Sequence, residues 1–142
     1  MKRFKFSLEK ILKLREYKEE ECKHALGQAI SMLNLIENKI KETAVKHHQA
    51  AVQRFNDPLD IPSWDIYILR LEQEAEKLGT QAAKAQIVVD EKRLLYMEAQ
   101  KDLKAMEKLK EKQKKEYHKK MLDKQMAEVD EITSSRYITQ LV

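Results

Sequence analysis

The chain has 142 residues, of which 37% are charged and 6% aromatic, with two glycines, two prolines and one cysteine. Sheet proteins need turns, and turns draw on glycine, proline and asparagine. A chain so poor in them, and so rich in Lys, Glu, Ala, Leu and Gln, reads as all-α and elongated. A lone cysteine, Cys22, rules out an internal disulfide, and no stretch approaches the ~20 apolar residues of a membrane span.

The N-terminal residues Met1-Lys2-Arg3-Phe4-Lys5-Phe6 are basic but lack the apolar run of a signal peptide, so the protein is expected to be soluble and cytosolic. Helix 1 is predicted over about residues 7–56. Ser7 suits its N-cap, and Glu9 favours the positive end of the helix dipole. From Cys22 an apolar stripe runs through Leu26, Ala29, Leu33, Ile36, Ile40, Ala44, His47, Ala51 and Phe55 in steps of three or four.

Both prolines, Pro58 and Pro62, fall in one short stretch, and the residue before a proline is biased away from helix. Residues of about 57–62 therefore form the connection, a length that fits a helix–helix turn. Helix 2 is predicted over about 63–132, with Ser63 as N-cap and Thr133-Ser134-Ser135 as the stop. A flexible tail over about 133–142 follows.

Helix 2 carries a heptad seam. Trp64, Leu71, Leu78, Ala85, Lys92, Ala99, Met106 and Gln113 are spaced by seven, and so are Ile68, Ala75, Ala82, Val89, Tyr96, Leu103, Lys110 and Tyr117. The fold expected is a single domain of two long helices in an antiparallel left-handed coiled-coil hairpin. Folding at residue 60 sets position i opposite about 119 − i and puts Phe55 beside Trp64. Helix 2 then overhangs helix 1 from about Lys114 onward.

No catalytic constellation is present. His47-His48 is not an HExxH motif, no Cys or carboxylate cluster has metal spacing, and there is no glycine-rich phosphate cradle. The chain is read as non-enzymatic, without cofactor or metal. The formal net charge is +4, yet residues 101–120 hold nine lysines against Asp102, Glu107, Glu111 and Glu116. That excess suggests an acidic partner at this end. Lysine alternates there with Glu and Gln, and arginine is absent, which reads first as a solvated face. A nucleic-acid or anionic-surface adaptor using the lysine-rich end is the alternative. Ile66, Tyr67, Leu69, Ile87, Leu94 and Leu95, with Met32, Leu35 and Val52, lie off the seam and point to a docking face or self-association.

The most specific element is the N-terminal block FxFxLxxxLxLRE, formed by Phe4, Phe6, Leu8, Leu12, Leu14, Arg15 and Glu16. A staple against helix 2 would account for one or two of its apolar residues. FKFSLEKILKLRE at the start, the long heptad hairpin, and KLKEKQKKEYHKKMLDKQMAEVDEI near the end together resemble the FliJ family of the bacterial flagellar type III export apparatus. The resemblance covers almost the whole chain, and the block and Gln125…Val129-Asp130-Glu131 are its most specific parts.

The resemblance implies an antiparallel two-helix coiled coil similar to the central stalk of rotary ATPases. It implies insertion into the hexameric flagellar export ATPase, contact with the export gate membrane protein, and handling of export chaperones, with no nucleic acid. It places the protein in the cytoplasm, held peripherally at the inner membrane of the flagellar base through its partners. The family's ring-binding end maps to Phe4, Phe6, Leu8, Ile11, Leu12, Leu14 and Arg15, with Lys108, Lys112, Lys115, Asp130 and Glu131. Trp64 and Tyr67 look like the family where helix 2 opens and are candidates for the gate or chaperone contact. At places comparable to the family's gate residues this chain offers Lys39, Thr43, Lys46, Arg70 and Glu74.

Overall fold

A computed structural model describes residues 3–141, with side chains through Thr139. Two long helices make up nearly all of it: α1 over Glu9–Asn56 and α2 over Ile61–Leu141, joined by a 3-10 turn at Pro58–Asp60. Among the described residues there is no strand. The chain is an all-α helical hairpin, as its composition and period require.

The helices contribute to two compact units. One consists of the chain through Lys18 with the chain from Gln100 onward, and the other is Glu19–Ala99. In the Glu19–Ala99 unit, His47 Nε2 lies 3.1 Å from Glu72 Oε1, and Arg54 donates Nε to Asp65 Oδ1. The residue numbers of each pair add to 119, so α1 and α2 run antiparallel in the expected register. The terminal unit agrees to within two residues, with Lys110 Nζ 3.0 Å from Glu9 Oε2 and Arg15 Nη1 3.4 Å from Asp102 Oδ2.

Burial on α2 follows the heptad. Leu71, Leu78, Val89 and Ala99 are buried, and the other seam positions from Trp64 to Tyr117 are half-buried, Lys92, Lys110 and Gln113 included. Ala75 alone is exposed.

On α1 the structure corrects the stripe in the last three turns. The buried or half-buried positions are Ile40, Thr43, His47, Ala50 and Arg54, while Ala44 and Ala51 are exposed and Phe55 is 88% exposed. Phe55 therefore does not pack beside Trp64. Paired helices hold their contact at 3.5 residues per turn, which forces alternate steps of three and four. Following apolar residues instead shifts the phase by one residue at Ala44. The seam tolerates its polar members because each is satisfied. Thr43, 5% exposed, donates its hydroxyl to the Lys39 carbonyl at 2.9 Å. His47 and Arg54 meet carboxylates on α2, and the hydrogen bond and charge of Asp65 raise the Arg54 pKa.

The ends of the helices also shift. α2 begins at Ile61, two residues before the expected Ser63 cap. Pro62 then lies in its first turn, where a missing amide costs nothing. At the far end, α2 continues through Thr133-Ser134-Ser135 to Leu141, so the described part of the expected 133–142 tail is helical. The hydroxyls of Thr133 and Thr139 donate to the carbonyls of Val129 and Ser135 at 2.9 and 2.8 Å. Bonded one turn back along the helix, they share its carbonyls but leave its backbone N–H groups to the helical ladder, at a small cost, and no Gly or Pro interrupts the run.

Candidate functional site

The terminal unit carries most of the candidate residues. Glu9 N–H donates to the Phe6 carbonyl at 3.2 Å and Leu12 N–H to that of Leu8 at 2.9 Å, which folds the chain start into the first turn of α1. Phe6 is 7% and Leu12 3% exposed, while Phe4 and Leu8 are half-buried. The Phe4 ring stands 5.6 Å from Tyr117, and the Tyr117 ring 5.7 Å from His118. The staple thus engages four residues of the N-terminal block, more than the one or two expected.

Ile11, between the block positions, is partly covered at 39% exposure, and one apolar member of the block, Leu14, faces outward at 67%. Tyr17, one step further at helical spacing, is exposed as well. Sequence reasoning stopped at Arg15-Glu16 and missed it, although the spacing of three from Leu14 was a usable signal. Arg15 is engaged, its Nη1 3.4 Å from Asp102 Oδ2.

On α2 of this unit Lys108, Lys112 and Lys115 are exposed and share one face, as steps of four and three require. Asp130 and Glu131 are exposed beyond them. On the seam side of α2, a groove of about 470 Å³ is lined by Arg3, Phe4, Lys110, Lys114, Tyr117, His118 and Met121. Its charged lining is wholly basic, and its floor is aromatic and thioether. From Leu122 onward the described α2 side chains are exposed except Gln125, so an overhang is present within this unit but begins about two turns after the expected Lys114.

The Glu19–Ala99 unit holds the second candidate place. The Trp64 and Tyr67 rings meet edge to face at 6.2 Å. With Lys46, Gln49, Ala50 and Gln53 they line a groove of about 580 Å³. The Trp64 indole N–H is buried and has no hydrogen-bond partner among the described residues. A neighbouring groove of about 350 Å³ gathers Lys39, Thr43, Lys46 and Glu74. Arg70 is exposed on α2 outside that lining. The off-seam apolar residues Ile66, Leu69, Ile87, Leu94, Leu95, Met32, Leu35 and Val52 are all exposed.

Among the described residues no group of three or more His, Cys, Asp or Glu side chains is placed to hold a metal ion. Nor is any described helix long and apolar enough to cross a membrane.

The architecture defines the class first: an antiparallel α-helical hairpin whose specific surfaces are outward faces of its helices. A family model described as Flagellar FliJ protein matches residues 4–141, and the chain belongs to that family. It is therefore a component of the flagellar protein export machinery. No curated protein and no solved structure matches the chain.

Proposed function

We propose that this chain is the non-enzymatic coiled-coil stalk of the flagellar export ATPase complex. Its terminal unit docks in the hexameric ATPase ring, and the Trp64–Tyr67 region meets the export gate or a substrate chaperone. The observation that carries the reading is the outward pair Leu14 and Tyr17, with Ile11 at its partly covered edge, on the unit that also presents Lys108, Lys112 and Lys115. Exposed apolar residues on one side of a unit and a cationic face on the other suit an acidic, partly apolar partner that surrounds the unit.

Phe6 and Leu12 serve this site indirectly. They hold the pair in place and are too buried to touch a partner. Arg15, 3.4 Å from Asp102, links α1 to α2 at the exposed edge of the seam. A two-helix body has no sixfold symmetry, so it contacts the subunits of a ring unequally. Unequal contact biases ring closure and couples nucleotide turnover to the gate.

The test uses the purified ATPase of the same system. Its hydrolysis rate should rise on addition of this protein, which binds no nucleotide itself. Leu14→Glu combined with Tyr17→Glu should weaken association roughly tenfold or more and leave helicity intact, since both side chains are solvent-exposed. An unchanged hydrolysis rate across concentrations ends the coupling reading. Unchanged affinity of the double variant moves the ring contact elsewhere.

A further inference from the structure

On the α2 face of the terminal unit, the lysines form a longer stripe than the three singled out above. Lys101, Lys104, Lys108, Lys112, Lys115 and Lys119 follow one another in steps of three, four, four, three and four, and all six are exposed. At 100° per residue they lie within about 40° of a single line, and the stripe extends roughly 27 Å along the helix axis. The seam positions Leu103, Met106, Lys110, Gln113 and Tyr117 fall on the opposite side of α2. None of the six takes part in an ion pair among the described residues. In the linear sequence they are interleaved with Glu and Gln, which conceals the stripe. On the helix, Glu111 and Glu116 only flank it.

The same line continues into apolar residues. Leu122, Met126, Val129 and Tyr137 extend the stripe past Lys119, and each is more than half exposed. Asp123 flanks this part and Asp130 lies on it, so the positive charge is concentrated over 101–119.

We propose that this face of α2 binds an anionic lipid bilayer directly. The inference goes beyond the export-stalk reading and does not depend on it; because it uses Lys108, Lys112 and Lys115, it describes the protein outside the ring. Six cations on one straight line all reach a planar surface together, and the apolar continuation enters the headgroup boundary as an interfacial helix does. Each lysine near an anionic bilayer gives roughly a fivefold gain in partitioning. Duplex DNA fits the stripe less well, because its phosphates wind around the axis and a straight line of charges meets few of them. A partner helix fits less well too, since a coiled-coil seam needs apolar residues at its core positions and this stripe supplies lysine.

The experiment is vesicle co-sedimentation with the full chain. Vesicles of phosphatidylcholine containing about one-third phosphatidylglycerol should bind it, and pure phosphatidylcholine should bind it at least ~10-fold more weakly. Added salt should reduce binding to the mixed vesicles. Lys108→Glu with Lys115→Glu should abolish most of the binding. Lys114→Glu with Lys120→Glu, the same charge change off the stripe, should cost much less. Circular dichroism should show both double variants equally helical.

Equal binding to the two kinds of vesicle would overturn the proposal. So would equal losses from the two double variants, because net charge alone would then be responsible. Tighter binding to a 30-base-pair duplex than to the mixed vesicles at the same salt would reassign the stripe to nucleic acid. None of these results bears on ATPase stimulation, which is measured without lipid.

Discussion

Leu12→Asp is expected to break the pairing of the terminal unit, while Leu14→Asp, two residues along the same helix, is expected to leave it folded. Leu12 is 3% exposed and Leu14 67%. The two substitutions share one change in helix propensity, about 0.5 kcal/mol, so their difference isolates burial. Loss of a buried leucine costs about 2–5 kcal/mol, and a carboxylate left in its place adds a desolvation penalty. A two-helix unit has a narrow core, and Phe6 is the other buried apolar residue described in it.

Amide hydrogen exchange is the direct measurement. Protection over residues 8–18 and 100–117 should collapse in Leu12→Asp, and protection in the Glu19–Ala99 unit should persist. Equal losses in the two variants would show that the α1–α2 seam does not hold this unit together.

The second large effect runs in the stabilising direction. Gly27→Ala and Gly79→Ala should each raise stability by about 1 kcal/mol. Both glycines lie inside helices, neither has a positive φ, and a Cβ added at either meets nothing within 4 Å. Alanine therefore gains helix propensity with no steric cost. Both lie in the Glu19–Ala99 unit, so their effects should add within it. Urea unfolding of that unit should shift to a higher midpoint with an unchanged slope. A lower midpoint would mean that the glycine faces are occupied, by a second copy or a partner, in the folded state.

Most of the fold is legible in the residues. The α2 heptad predicts burial at all but one of its positions because leucine, valine and tyrosine at sevenfold spacing have one way to leave water. The same rule misleads on α1 after Ile40, where Thr43, His47 and Arg54 hold the seam. Polar residues become invisible to a hydrophobic pattern once a neighbour satisfies them, and each of these has its partner on a carbonyl or on α2. The site divides in the same way. FxFxLxxxLxLRE marks the terminal unit, but apolar identity alone does not separate Leu12, which packs, from Leu14, which faces out.

The two prolines, the scarcity of glycine and the heptad period determine an antiparallel helical hairpin in a register summing to 119, because local stiffness and spacing act along one helix at a time. Only the pairing of α1 with α2 decides which side of each helix is covered. It buries Phe6 and Leu12, leaves Leu14 and Tyr17 in water, and keeps exposed the six lysines that the spacing along α2 already sets in one line. Exposure of a helical residue is set by the neighbour across the gap, and that neighbour is far away in the chain.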